Sequence, residues 1–93
     1  MRHIFSGKFL LGQVVATPGV MEATTEEERI SALTRHLNGD WGEVSPEDWQ
    51  INNEALESRS RLLSAYTNAS GVKFWIITEY DRSVTTFLLP EEY

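Results

Sequence analysis

The fold class of this chain is decided by the run Trp75-Ile-Ile-Thr-Glu-Tyr-Asp-Arg-Ser-Val-Thr-Thr-Phe-Leu-Leu-Pro-Glu-Glu-Tyr93. It contains two segments rich in β-branched and aromatic residues, a composition that favours strands over helices. A short charged turn, Tyr80–Ser83, separates them, and Pro90 ends the second segment. Connections of this length join antiparallel neighbours, so the run predicts the last two strands of a small sheet.

Working back along the chain, Leu62–Thr67 has the same strand character, and Asn68–Gly71 supplies the next turn. A three-stranded antiparallel meander is therefore expected, with strands at Leu62–Thr67, Val72–Thr78 and Val84–Leu89. Near the other end, Phe9–Ala16 predicts a further strand that bends at Gly12. Thr17-Pro18 then favours a short helical turn, because threonine caps helices and proline suits their first position.

Two helices are predicted between these strands. Thr25 and Glu28 form a capping box at the start of the first, and Gly39 ends it. Ser45 caps the second, which is expected to end near Arg59–Arg61. The sequence thus predicts one α+β domain over residues 1–93: a small antiparallel sheet, made of the meander and an N-terminal strand, with two helices packed on one face.

Composition excludes several classes of function. The chain has 93 residues, no cysteine and a net charge of −6. Thiolate nucleophiles, disulfides and cysteine-based zinc sites are therefore ruled out. Eight basic residues scattered among fourteen acids do not form the cluster that direct nucleic-acid binding requires. No apolar run approaches the ~20 residues that span a bilayer, so we expect no membrane partner and a cytoplasmic location.

The region Asp40–Glu57 carries acids without a single lysine or arginine. One interpretation is a binding face for a basic protein partner, because uncompensated acids repel one another and attract positive surfaces. The other is a solvated helix face whose acids complement the helix N-terminus. Trp41 and Trp49 are candidate anchors, since tryptophan is favoured at binding hot spots. For Trp41 the competing interpretation is that it folds back into the core after Asn38-Gly39 ends the helix. The candidate partner-binding residues are Asp40, Trp41, Glu43, Glu47, Asp48, Trp49, Glu54 and Glu57.

A second candidate site combines His36, Asp40, Asp81 and Arg82. A histidine with an orienting carboxylate can act as a general base, and an arginine can clamp an anion. The competing interpretation is structural: a histidine suits the last turn of a helix, and aspartate accepts backbone amides in turns. No spacing of ligands indicates a metal, and no motif indicates a cofactor or a catalytic nucleophile. An exposed edge strand could pair with a second copy of the chain, so a homodimer is possible.

Four segments carry a resemblance to a known family. They are Ala16-Thr17-Pro18-Gly19, His36-Leu37-x-Gly39-Asp40-Trp41-Gly42, Leu63-Ser64-Ala65-Tyr66 and the run from Trp75 to Tyr93. With them the chain resembles a family of short bacterial proteins described as hypothetical or plasmid-related and often found on mobile elements. Some members are labelled restriction-modification subunits, but this chain is too short for methyltransferase or nuclease motifs. Tyr80 departs from the family pattern, where a smaller residue is expected.

The resemblance implies a context and transfers no catalytic residue. A small, acidic, cysteine-free protein on a mobile element is similar to accessory proteins that blunt host defence, such as anti-CRISPR and antirestriction inhibitors. These occupy a nuclease surface and need no chemistry of their own. The resemblance therefore favours an inhibitor of a defence nuclease. A small enzyme or ligand-binding protein, and a regulatory partner of a neighbouring plasmid-encoded protein, are the alternatives.

Overall fold

The computed structural model describes residues 7–93, and within them the chain forms a four-stranded sheet and three α-helices. The α+β prediction is confirmed. Helix α1 develops from the helical turn predicted at Thr17-Pro18. The strands are β1 (Gln13–Ala16), β2 (Leu62–Thr67), β3 (Lys73–Thr78) and β4 (Val84–Leu88). The helices are α1 (Pro18–Ala23), α2 (Glu26–Leu37) and α3 (Pro46–Ser58), and a 3-10 turn spans Pro90–Glu92.

The sheet has the strand order β1-β4-β3-β2. The meander β2-β3-β4 is antiparallel, as predicted. Strand β1 joins it parallel to β4, with Gln13 opposite Val84 and Ala16 opposite Phe87. The sheet is therefore mixed rather than wholly antiparallel. Parallel neighbours need a long crossover connection, and here all three helices and the first two meander strands lie between β1 and β4.

The main core lies between the sheet and the first two helices. Alternate residues of a strand point to the same face, and the register places Tyr66 opposite Phe74 and Ile76 opposite Phe87. Helices α1 and α2 cover this face. The buried members of the cluster are Val20, Ala32, Leu33, Tyr66, Phe74, Ile76 and Phe87.

Both longer helices begin as their sequences predict. The Thr25 hydroxyl accepts the Glu28 amide at 3.1 Å, and the Glu28 carboxylate accepts the Thr25 amide at 2.9 Å. The Ser45 hydroxyl accepts the Asp48 amide at 3.1 Å at the start of α3. Helix α3 ends at Ser58, and Arg59, which caps it, has a left-handed φ of 58°. None of the helices in residues 7–93 is long and apolar enough to cross a bilayer.

Helix α3 lies beside the β2 edge of the sheet and closes it. The Asn52 side chain accepts the Leu63 amide at 3.2 Å and donates to the Leu63 carbonyl at 2.8 Å. Further along, the Ala65 amide donates to the Trp41 carbonyl and the Ala65 carbonyl accepts the Glu43 amide. An edge strand presents unpaired backbone groups, so these contacts remove a site for unwanted strand pairing. At the other edge, every residue of β1 is exposed.

A second, smaller core packs under α3. Its buried members are Trp41, Ala55 and Leu62, and Phe9, Val44, Trp49 and Leu56 pack against them. Trp41 has an exposed fraction of 0%, and its indole N–H donates to the Asn53 side chain at 2.9 Å. This core holds α3 against the end of β2.

Candidate functional site

Two residues at the start of the acidic region have structural roles. Arg35 donates to both Asp40 carboxylate oxygens, at 2.7 and 3.2 Å, and Asp40 also accepts the Gly42 amide. The bond from Arg35 lowers the pKa of Asp40. Because Trp41 is fully buried, the prediction that it is a surface anchor is wrong. The competing interpretation, in which Trp41 folds back into the core, is confirmed, because the indole belongs to the second core.

The remaining acids lie outside the core. Glu43 is exposed and accepts the Thr67 hydroxyl at 2.8 Å. Helix α3 contains no lysine or arginine, and its acidic residues are all exposed. Among them, Glu54 accepts the Gln50 side-chain amide at 3.2 Å. We call this surface the acidic face, and it consists of Glu47, Asp48, Glu54 and Glu57.

The exposed apolar side chains beside the acidic face are not the two tryptophans of the region. Trp49 is half-buried in the second core. Ile51 on the same helix is 57% exposed, and Tyr93 is 68% exposed. Both line a hollow of about 210 Å³ whose other lining residues are Asp48, Asn52, Arg61 and Leu63. Sequence reasoning missed Ile51, although an isoleucine between acids on a helix is a signal of an exposed apolar group.

Tyr93 is held in place by its neighbours. Its ring stands 5.8 Å from that of Trp75 in an edge-on arrangement, and the Arg61 guanidinium lies 5.1 Å from its centre. Arg61 also pairs with Glu79 at 3.9 Å. Such aromatic and cation–π contacts contribute about 0.5–1.5 kcal/mol each. The hollow is therefore bounded by an ordered aromatic side chain.

The second candidate site is not assembled as the sequence suggested. His36 has an exposed fraction of 0%. Asp40 is paired with Arg35, and Asp81 accepts the amide and hydroxyl of Ser83. These bonds from Ser83 lower the pKa of Asp81. Of the four residues, Asp81 and Arg82 line a common groove, which neither His36 nor Asp40 reaches. A general base oriented by Asp40 is therefore not formed.

His36 belongs instead to a chain of buried polar groups. Thr85 donates its single hydroxyl hydrogen to the Leu11 carbonyl at 2.7 Å, so it must accept from Thr78 at 2.8 Å. Thr78 must then accept from His36 Nε2 at 2.9 Å, which leaves Nδ1 to accept the Ser64 hydroxyl. The Leu11 carbonyl thus sets the direction of every bond and the tautomer of the imidazole. We call this set the polar chain.

The environment of the polar chain keeps His36 neutral. Burial, with a smaller effect from the Arg82 charge, lowers the pKa of His36 from 6.5 to about 3. The Phe9 and Trp41 rings stand edge-on to the imidazole at 5.2 and 5.5 Å. Ser64 is also completely buried, so this serine–histidine contact cannot meet a substrate. Its chemistry is that of a closed structural network.

Sequence reasoning missed the polar chain for an identifiable reason. His36 and Ser64 lie 28 positions apart, and His36 and Thr78 lie 42 apart. Strand alternation places Ser64 and Thr78 on the helix-covered face, but only packing brings the end of α2 above them. A hint was available, since polar residues interrupt otherwise apolar strands at these positions. Within residues 7–93, no three histidine, aspartate or glutamate side chains group closely enough to hold a metal ion.

Comparisons with protein-family models, curated proteins and solved structures find no match for this chain. Because no family is indicated, the fold and the surface define only a structural class of protein. It is a small α+β protein in which, over residues 7–93, every buried polar side chain has a hydrogen-bond partner. Its α3 presents an acidic face beside a hollow lined by both apolar and polar side chains.

Proposed function

We propose that this protein is a non-enzymatic accessory protein of a mobile element that binds and inhibits a host defence nuclease, in the manner of anti-CRISPR or antirestriction proteins. The observation that carries the proposal is the acidic face, which presents four exposed carboxylates on one rigid helix that has no basic residue. Nucleases bind phosphate backbones through clustered lysine and arginine. An acidic helix is complementary to such a surface and can occupy it. A cytoplasmic location belongs to the same proposal, because defence nucleases act there.

The charge of the acidic face is available to a partner. None of its carboxylates takes part in an ion pair within residues 7–93, where the recorded pairs are Arg35–Asp40 and Arg61–Glu79. Exposed charges of one sign raise association rates and discriminate between partners more than they raise affinity. Affinity is better supplied by apolar groups at the centre of an interface. Ile51 and Tyr93, beside the hollow, provide them in place of Trp41 and Trp49.

The enzyme or ligand-binding alternative has less support. It required His36, Asp40, Asp81 and Arg82 to converge on one pocket, and their side chains are engaged in four separate sets of contacts. The regulatory alternative uses the same acidic face but a different partner, a plasmid-encoded protein. The identity of the captured protein separates it from the leading proposal.

Affinity capture from a host lysate, followed by mass spectrometry, tests the proposal. The tagged protein is compared with the variant E47Q/D48N/E54Q/E57Q. A matched control, E22Q/E26Q/E27Q/E91Q, makes the same change of net charge at exposed acids elsewhere. We expect wild type and control to capture and inhibit a nuclease, with binding that weakens as salt rises, and the acidic-face variant to lose both activities.

Equal losses for the two variants would show that net charge matters and the acidic face does not. Capture of a plasmid-encoded protein without nuclease activity would favour the regulatory alternative. A further variant, Ile51→Ser, tests the apolar centre, and we expect it to accelerate dissociation while leaving the salt dependence unchanged.

A further inference from the structure

A groove on a different part of the surface has the opposite charge. It lies between the segment Gly7–Gly12, the end of α3 and the turn that joins β3 to β4, and its volume is about 980 Å³. Three cationic residues line it, Lys8, Arg59 and Arg82, against one acid, Asp81. In a protein with a net charge of −6, this local excess of positive charge runs against the overall composition.

None of the three cations is paired with a carboxylate of residues 7–93. The ion pairs recorded for residues 7–93 involve Arg35 and Arg61 instead. The Asp81 carboxylate is engaged by the amide and hydroxyl of Ser83. The segment before Gly7, Met1–Ser6, contains no aspartate or glutamate, so its side chains cannot supply a counter-charge. The groove therefore carries an excess of two positive charges, three cations less one acid.

Arg82 holds its charge at the wall of the groove. It is only 9% exposed, and it donates to the carbonyls of Ser60, Glu79 and Ala55 at 2.7, 3.1 and 3.0 Å. These bonds use three of the five N–H groups of a guanidinium, and neutral carbonyls leave its charge in place. Burial and the nearby charge of Arg59 lower the pKa of Arg82, which indicates that the two cations repel each other.

Backbone strain accompanies this repulsion. Within the described residues, the non-glycine residues with positive φ are Arg59, at 58°, and Arg82, at 59°. One follows the end of α3 and the other ends a hairpin turn, and both are positions where glycine has no steric cost. The chain thus places an arginine at each of two strained positions, and both side chains line the same groove. Strain of this kind tends to persist where it serves a site.

We propose that this groove binds a small phosphate monoester with an apolar or aromatic body. A phosphate monoester carries a charge of about −1.5 to −2 near pH 7, which matches the excess of two positive charges. The Arg59 guanidinium suits its oxygens because its N–H groups form a planar fork. Arg82, with three of its N–H groups bound to backbone carbonyls, contributes chiefly its charge. Phe9, Leu11 and Leu56 line the groove and are half-buried, and they supply an apolar surface for the body. This site is independent of the acidic face.

Titration of the protein with inorganic phosphate, phenyl phosphate and benzoate tests the site, with backbone amide NMR shifts and calorimetry as readouts. We expect phenyl phosphate to bind most tightly and its shifts to centre on the groove. The variants are Arg59→Gly and Lys8→Gln, with Arg61→Gln as the matched control outside the groove. Loss of one nearby cation should weaken phenyl phosphate binding by roughly tenfold or more. Arg61→Gln should leave it unchanged.

Arg59→Gly also separates binding from folding. Glycine relieves the left-handed strain, so this variant should melt at a higher temperature than wild type while it binds phenyl phosphate more weakly. Binding of phenyl phosphate that is as tight in Arg59→Gly as in wild type would overturn the site, as would the absence of binding by wild type. Benzoate that binds as tightly as phenyl phosphate would overturn the assignment to phosphate. Inorganic phosphate that binds as tightly as phenyl phosphate would overturn the proposal that the groove recognises an apolar body.

Discussion

The polar chain around His36 and the acidic face of α3 are both made of polar side chains, yet they differ in every physical respect. In the polar chain each hydroxyl and ring nitrogen has a partner inside the protein, and His36, Ser64, Thr78 and Thr85 are completely buried. On the acidic face the carboxylates are exposed, and no described cation pairs with them.

The difference separates polar groups that stabilise the fold from polar groups that are free to bind a partner. A buried polar group is costly unless its bonds are satisfied inside the protein, so the polar chain specifies one arrangement of α2 over the sheet. An exposed carboxylate has water as its partner and can exchange water for another molecule at little cost. Changes in the polar chain should therefore alter stability, and changes on the acidic face should alter binding.

The largest effect is expected at His36. His36→Ala removes the acceptor for Ser64 and the donor for Thr78 and leaves a void between the two cores. We expect the free energy of unfolding to fall by about 3–5 kcal/mol, measured by urea denaturation. His36→Gln, which retains a donor and an acceptor, should cost clearly less. If the two variants lower the free energy of unfolding equally, the hydrogen bonds of the polar chain do not contribute to stability.

The dependence on pH is the next largest effect. His36 has a pKa of about 3 in the folded protein and 6.5 when unperturbed, so the unfolded chain binds one more proton between these values. The contribution of His36 to stability is full above pH 6.5 and is lost as the pH falls towards 3. The loss amounts to about 4–5 kcal/mol. It should be absent from His36→Gln, while the loss due to carboxylates remains. Parallel curves for the two proteins would contradict the buried, neutral imidazole.

A smaller effect is expected at Asn52, which extends the comparison to the sheet edge. Asn52→Ala leaves the backbone N–H and C=O of Leu63 without their partner. We expect a loss of about 1–3 kcal/mol in thermal or urea unfolding. Gln50→Ala, on the exposed side of the same helix, is the control and should change stability by less than about 0.5 kcal/mol. Similar losses for both would mean that Asn52 does not seal the edge.

The smallest effects are expected on the acidic face, and they should differ in sign. Glu47 lies in the first turn of α3, where the helix dipole favours a carboxylate, and Glu57 lies in the last turn, where it does not. Glu47→Gln should lower the free energy of unfolding by about 0.3–1 kcal/mol, and Glu57→Gln should leave it unchanged or raise it slightly. Large losses at both positions would mean that these acids stabilise the fold, as the polar chain does, and are not reserved for binding.

The elements themselves were predictable because their signals are local. The strand at Leu62–Thr67 matches the prediction, and the caps at Thr25 and Ser45 form as their sequences indicate. The parallel pairing of β1 was not predictable, since any short strand can join either edge of a meander in either direction. The exposure of Ile51 likewise depends on where α3 packs.

For this protein, then, the sequence by itself determined the helices, the meander, the α+β class and the acidic character of α3. These depend on backbone propensity, capping and side-chain period, which act over a few residues. The tertiary structure alone decided that His36 meets Ser64 and Thr78, that Asn52 seals β2, and that Arg59 and Arg82 line one groove. Such meetings join residues far apart in the chain, and they depend on how the elements pack together.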